Sequence, residues 1–303
     1  MNKKSCTLQS SSDGLILDAI YMEPAETIKG SVVIVHGMAE HKERYLSFME
    51  FLCQRGYAVM IYDQRGHGNS VRSNFDLGYF YEDDAAYILQ DIQDAVLFMK
   101  KMHPKCPLYL FAHSMGTLEA RLYLKDKDDQ IDKLVLSGAV AQNGLVDLAL
   151  VLTKFLKFHY GDRHRSKLIH TLAFGGYDRS FTGDQKNRWL SEDLRNVLTY
   201  NEHPKDGFVF TLNGFRNLFL MVKRTYDSKD WQVKNPHLPI FFVAGKEDPV
   251  IGSRKQWDQS QQFLSDRGYD QISYKFYDHM RHEILQETKK DIVMNDILKF
   301  FES

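Results

Sequence analysis

The segment SVVIVHG at residues 31–37 limits what this chain can become more than any other. Its four consecutive β-branched residues, with no polar residue between them, suit a strand buried on both faces, and such strands belong to parallel sheets covered by helices. The flanking sequence follows suit. KERYLSFMEFLCQRG carries Tyr45, Phe48, Met49 and Leu52 at helical spacing, and Gly56 supplies a left-handed stop. YAVMIYD reads as the next strand. Residues 83–102 read as a helix with Ile88, Ile92, Val96 and Met99 on one stripe, opened by Asp83 and Asp84 and closed by Lys100 and Lys101, as the helix dipole favours. PLYLFAHSMG is a strand running into a helix, and KLVLSGA (133–139) is a further strand. This alternation implies right-handed βαβ crossovers and an α/β fold with a parallel sheet.

The rhythm stops between about Gln142 and Gln232, where the chain is aromatic, helix-like and free of any recognisable buried strand. It resumes at PIFFVAG (239–245), continues through QISYKFYD (271–278) and closes with an amphipathic helix bearing Leu285, Ile292, Ile297 and Phe301. The expected organisation is therefore a core split in sequence, residues 1–141 and 233–303, around a cap inserted at 142–232. A length of 303 residues fits one domain with such an insertion.

Composition narrows the function classes. Lys plus Arg is 39 and Asp plus Glu is 40, a net charge of −1, so no basic field exists to hold nucleic acid. No window approaches the ~18 apolar residues of a membrane span, and the N-terminus has no apolar stretch after its lysines. Cys6, Cys53 and Cys106 are too scattered for a disulfide framework or a CxxC metal site, and a reducing cytoplasm suits them.

Chemistry concentrates at strand ends. LYLF runs directly into Ala112-His113-Ser114-Met115-Gly116 and then into helix-forming TLEARLYLK, the context in which a G-x-S-x-G elbow exposes a serine hydroxyl at the sheet's carboxyl edge. Alone, those five residues fit a chance serine in a βα loop equally well. A serine nucleophile needs a base, and the base needs an acid to orient it. Gly245-Lys246-Glu247-Asp248-Pro249-Val250 follows PIFFVAG and offers two carboxylates, of which Asp248, just before the turn-fixing proline, is the better placed. Asp278-His279-Met280-Arg281-His282-Glu283 then supplies histidines at the following strand end. Three candidate groups at successive carboxyl edges are where α/β folds build their sites. The loop His36-Gly37-Met38-Ala39-Glu40-His41 follows the first buried strand and is of the kind that presents an oxyanion donor, so the backbone N–H groups of Met38 and Met115 are the expected pair.

The sequence resembles the α/β-hydrolase superfamily, and within it the monoacylglycerol lipase and lysophospholipase branch of serine esterases. VVIVHGMAEHKERY, YDQRGHGNS, AHSMG, GKEDPV and RHEILQE carry the resemblance, with FGGYDRSF and HPKDGFVFTLNGF in the cap. It implies Ser114 as nucleophile, Asp248 as acid, His282 as base and His36 to Met38 as the oxyanion loop, with no cofactor and no metal. Ala112 stands where the family's elbow usually has glycine, and Thr117 where a second glycine commonly follows Gly116.

Other motifs read more plainly. Asp63-Gln64-Arg65-Gly66-His67-Gly68 lacks the GK[ST] ending of a P-loop and reads as a turn held by its own side chains. His279 to Glu283 is neither HExxH nor HxxEH. His159, His164 and His170, with Arg163, Arg165 and Lys167, read as a solvated basic stretch that can also attract anionic headgroups at a membrane surface.

The sequence thus leads to the expectation of a cytoplasmic serine hydrolase acting on a small carboxylic ester with a lipid-like acyl chain. Two alternatives stand beside it. One is an aminopeptidase of the proline-iminopeptidase kind, which would hold a free amine with cap acids such as Asp178, Asp184, Glu192 or Asp193. The other is an inactive binding protein that keeps the fold.

Overall fold

The computed structural model describes residues 2–303. An antiparallel hairpin, β1 (Asn2–Gln9) and β2 (Ile16–Glu23), leads into β3 (Gly30–Val35), α1 (Leu46–Cys53) and β4 (Tyr57–Tyr62). Then follow α2 (Ala86–Met102), β5 (Leu108–His113), α3 (Met115–Lys127) and β6 (Lys133–Ser137). Helices α4 (Val146–Tyr160), α5 (Lys167–Phe174), α6 (Leu194–Glu202) and α7 (Leu212–Thr225) precede β7 (Ile240–Gly245). The chain closes with α8 (Arg254–Ser265), β8 (Ile272–Tyr277) and α9 (Lys290–Glu302).

The eight strands form one sheet in the order β1-β2-β4-β3-β5-β6-β7-β8. The pairs from β4 to β8 are parallel, whereas β2 meets β4 antiparallel. The six residues of β3, of β4, of β5 and of β7 are all buried, as uninterrupted apolar runs covered on both faces require. On one face Ile92, Val96 and Met99 of α2, Tyr123 and Leu124 of α3 and Trp257 of α8 pack on the sheet. On the other, Phe48, Met49 and Leu52 of α1 meet Val293, Met294, Ile297 and Phe301 of α9. A third apolar cluster joins Phe80, Met115 and Leu118 of the sheet side to Phe210, Phe215, Leu218 and Met221 of the α7 region.

Two boundaries differ from the expectation. Helix α2 begins at Ala86, because Ala85 takes a left-handed φ of 60° and Asp84 Oδ1 accepts the Ala86 N–H from outside the helix. Helix α9 begins at Lys290, so Leu285 lies before it, buried, and Ile292 is 52% exposed. The cause is Glu287, whose carboxylate accepts the backbone N–H groups of Arg281, Glu192 and Asp193 and holds residues 281–289 as turns. In the basic stretch His159, His164 and Lys167 are exposed, as expected, but its two arginines are engaged with the molecule. Arg163 pairs with Asp76, and Arg165 donates to the carbonyls of Val209 and Phe75, so these side chains clamp the helices after β6 onto the loop before α2.

Among the described residues no helix is long and apolar enough to cross a membrane.

Candidate active site

Ser114 stands between β5 and α3 with φ 52° and ψ −119°, a strained conformation for a residue with a Cβ. Close approach of the next helix to β3 makes the turn possible. A Cβ on Gly116 would lie 2.7 Å from the carbonyl oxygen of Val35 and 2.8 Å from that of His36. Ala112, in place of the family's glycine, is fully buried in β5 opposite Val35 and Leu136. Thr117 tightens the elbow, donating its hydroxyl to Ser114 O at 2.6 Å and accepting Val140 N–H at 3.3 Å.

His282 Nε2 lies 2.7 Å from Ser114 Oγ, and His282 Nδ1 lies 2.9 Å from Asp248 Oδ2. Asp248 Oδ1 accepts Val250 N–H at 2.8 Å, so both carboxylate oxygens are occupied and their direction is fixed. With Nδ1–H donated to the carboxylate, Nε2 is free to accept from the serine hydroxyl. Burial pulls the His282 pKa down, but the charge of Asp248 and its hydrogen bond, helped by Glu283 and Glu40, outweigh burial and raise it above the ordinary histidine value. His279 is exposed, with a left-handed φ of 54°, and lies outside this array. Gly245 lets the end of β7 slide beneath the loop at Met280 and Arg281, where a Cβ would strike both carbonyls. Glu247 N–H donates to Met280 O and secures the two strand ends to each other.

Gly37, just before Met38, comes close to the serine, where a Cβ on it would lie 3.0 Å from Ser114 Cβ, and among the described residues neither the Met38 nor the Met115 amide donates to another protein group. The loop that carries Met38 is held by side chains to which the sequence assigned no anchoring role. His36 Nε2 accepts Gln64 N–H at 2.9 Å, which leaves Nδ1–H to donate to Gly37 O at 2.8 Å. Burial pulls this imidazole down to about 3, so it stays neutral in that tautomer. In a trans peptide the C=O and the N–H point in opposite directions. Anchoring Gly37 O to His36 therefore fixes which way Met38 N–H points. Glu40 Oε1 accepts Gly37 N–H at 2.5 Å and Tyr45 O–H at 2.9 Å from the other end of the loop.

The segment after β6 covers His282. Trp189 stacks obliquely on His282 with ring centroids 5.1 Å apart, its carbonyl accepts His282 N–H, and Tyr177 packs edge-on against Trp189. Burial, with the nearby charge of Asp248, lifts the Tyr177 hydroxyl to about 12.

The other sequence candidates are committed elsewhere. Asp63 accepts Asn69 N–H within its own turn and pairs with buried Lys42, while Arg65 is bound by Asp91, so this turn presents no phosphate cradle. Asp178 accepts Asn187 and Trp189 N–H, Asp193 caps α6, and Asp184 and Glu192 are exposed. His41, His203 and Asp206 converge, but the two imidazoles stack in parallel planes 9° apart. One ion cannot lie in the plane of both rings, and Arg44 already holds the other Asp206 oxygen.

The family model of serine aminopeptidase S33 matches residues 26–289. A probable lysophospholipase L2 of Haemophilus influenzae is 32% identical over 92% of this chain and 84% of its own length. A monoacylglycerol lipase of Mycolicibacterium smegmatis is 24% identical over 91% of this chain and 89% of its own. In fold, the chain superposes on a thermostable carboxyl esterase from Bacillus coagulans with a TM-score of 0.89 at 22% identity, covering 100% of this chain and 98% of that one. The eight-stranded sheet, the strained serine turn and the extent of these matches make one statement: the chain belongs to the serine aminopeptidase S33 family of α/β-hydrolases.

Proposed function

We propose that the protein is a serine hydrolase of carboxylic esters with lipid-like acyl chains, of the monoacylglycerol or lysophospholipid kind. The observation that carries this reading is the continuous array from Asp248 through His282 to Ser114, at 2.9 and 2.7 Å. Ser114 Oγ attacks the ester carbonyl carbon while its proton passes to His282 Nε2. The oxyanion that forms is held by the N–H groups of Met38 and Met115. The bond to the alcohol oxygen then breaks as the imidazolium returns the proton to it, leaving an acyl-serine. Water, losing a proton to Nε2, attacks that acyl group, and Ser114 leaves with the proton. Asp248 holds the tautomer and stabilises the imidazolium. The chain's own residues supply each of these parts, and the reading calls for no cofactor.

Residues 142–232 act as the cap in this reading. Met38, Val140, Val146, Leu152, Leu156 and Phe174 are partly buried against the apolar cluster between core and cap, and they offer an acyl chain its surroundings. Leu145, Leu148, Val151, Phe155 and Phe158 of the α4 region stay exposed, which suits contact with aggregated lipid at a membrane surface. Asp178 and Asp193 are engaged with backbone N–H groups, which takes two of the four cap acids from an α-amine and favours ester over aminoacyl substrates. The two relatives named above, a lysophospholipase and a monoacylglycerol lipase, support the same choice.

Labelling by a fluorophosphonate probe, followed by hydrolysis rates over monoacylglycerols, lysophospholipids, short aryl esters and aminoacyl amides, tests the reading. Wild type labels and Ser114→Ala does not, with turnover reduced by about 10⁴–10⁶. Esterase activity retained by purified S114A protein would reject it.

A further inference from the structure

The Arg44 side chain is only 6% exposed and stands at a point where three separate segments meet. Its Nε donates to Glu40 Oε2 at 3.2 Å, its Nη2 to Glu283 Oε2 at 2.6 Å, and its Nη1 to Asp206 Oδ2 at 3.3 Å. Nη2 also reaches Asn196 Oδ1 at 3.2 Å, and the guanidinium lies 5.0 Å from the centre of the Tyr200 ring. Each partner belongs to a different part of the site. Glu40 holds Gly37 N–H, one residue before the Met38 donor. Glu283 directly follows His282. Asn196 and Tyr200 lie on α6, and Asp206 lies just beyond it beside Gly207, whose N–H donates to Ala39 O in the oxyanion loop.

We infer that Arg44 is a positioning residue that fixes the oxyanion loop, the base loop and the α6 end of the cap relative to one another, so that a disturbance of the cap contact reaches the reacting groups. The inference rests on the serine-hydrolase reading above. A guanidinium is suited to this place because its planar fork directs separate N–H groups at separate carboxylates, whereas a lysine ammonium at the end of a flexible stem meets them as one point. The remaining partners of these three buried carboxylates are Gly37 N–H and Tyr45 O–H for Glu40, Asn196 Nδ2 for Glu283 and the His41 and His203 imidazoles for Asp206, so Arg44 is the one permanent cation among them. Arg44 touches no reacting atom. A purely structural role would cost stability and leave the chemical step unchanged, and this difference is measurable.

The test is a double-mutant cycle between the cap end, Asp206→Asn, and the base-loop end, Glu283→Gln, whose side chains both bond Arg44 and not each other. The readouts are kcat and KM for a short soluble p-nitrophenyl ester, the rate of fluorophosphonate labelling and the melting temperature, with Ser114→Ala as reference. Each single variant is expected to lower kcat about tenfold with KM within about twofold, the loss expected when an interaction matters in the transition state. The double variant is expected to fall short of the product of the two losses by about threefold or more, as for residues in one network. In an Arg44→Lys background that shortfall should vanish. Independent losses, or lowered melting temperatures with kcat unchanged, overturn the inference. The cycle at Asp206 and Glu283 decides the matter even if the Arg44 variant does not fold. Activity in Ser114→Ala would reject the underlying reading instead.

Discussion

Gly138 lies against His282 so closely that a Cβ on it would stand 2.9 Å from both Cε1 and Nδ1 of the imidazole and 3.1 Å from Asp248 Oδ2. It follows β6 with φ 58°, the left-handed region where an L side chain costs about 1–2 kcal/mol. Gly138→Ala should therefore strain the backbone and push His282 and Asp248 apart. Steady-state kinetics should show kcat reduced about 10- to 100-fold, well beyond the loss explained by a small drop in melting temperature.

The pH profile follows from His282. Its pKa is raised, and a general base must be unprotonated, so activity falls as pH drops through a value above the ordinary ~6.5 of histidine. The acid limb of kcat/KM, measured with an uncharged ester, should lie on that side. His282→Ala should slow labelling by several orders of magnitude, while His279→Ala, whose side chain is exposed, should retain most activity. The reverse pattern would reassign the base.

Leu152 and Phe155 share α4 but face differently. Leu152 is partly buried against the core–cap cluster, and Phe155 is 58% exposed. Leu152→Ala should shift the preferred acyl length in an ester panel. Phe155→Ala should spare short soluble esters and weaken hydrolysis of vesicle-bound substrate, checked by running both substrates on one preparation.

Glu119 of α3 is fully buried, and among the described residues neither of its carboxylate oxygens has a partner, nor has Tyr62 O–H. Burial pushes its pKa well above the usual carboxylate range, and the charge of Asp91 adds to this. The folded state holds a proton that the unfolded chain loses above ~4.3. Stability linked to that proton is thus present at low pH and lost as pH rises through the folded pKa, by at most ~1.4 kcal/mol per pH unit. Glu119→Met should raise the melting temperature relative to wild type by more at pH 8 than at pH 5. An equal shift at the two values would mean that Glu119 is ionised in the fold.

The central strands were legible because burial on both faces leaves an uninterrupted apolar run. Hairpin β1–β2 was not: in β1 only Leu8 is buried, and Asn2-Lys3-Lys4-Ser5 offers no alternation to read. Ser114, Asp248 and His282 stood out because each follows a recognisable strand, and the fold brings those strand ends to one edge. Glu40, Arg44, Asp206 and Glu283 carried no such signal. Their contacts link positions 162 and 239 residues apart, and a buried ion network has no period along the chain. The start of α9 was misplaced for a related reason, since Glu287 is spent on backbone groups at 192 and 193, nearly a hundred residues upstream.

The insertion of α4 to α7 between β6 and β7 also separates the reacting groups in time of synthesis. Met38, Ser114 and Met115 leave the ribosome in the first half of the chain, whereas Asp248 and His282 follow only after α4 to α7. A nascent chain halted between residues 114 and 282 carries Ser114 without His282. On this reading ester hydrolysis begins only once β8 has docked at the sheet edge, and the order of the strands itself keeps incomplete chains silent.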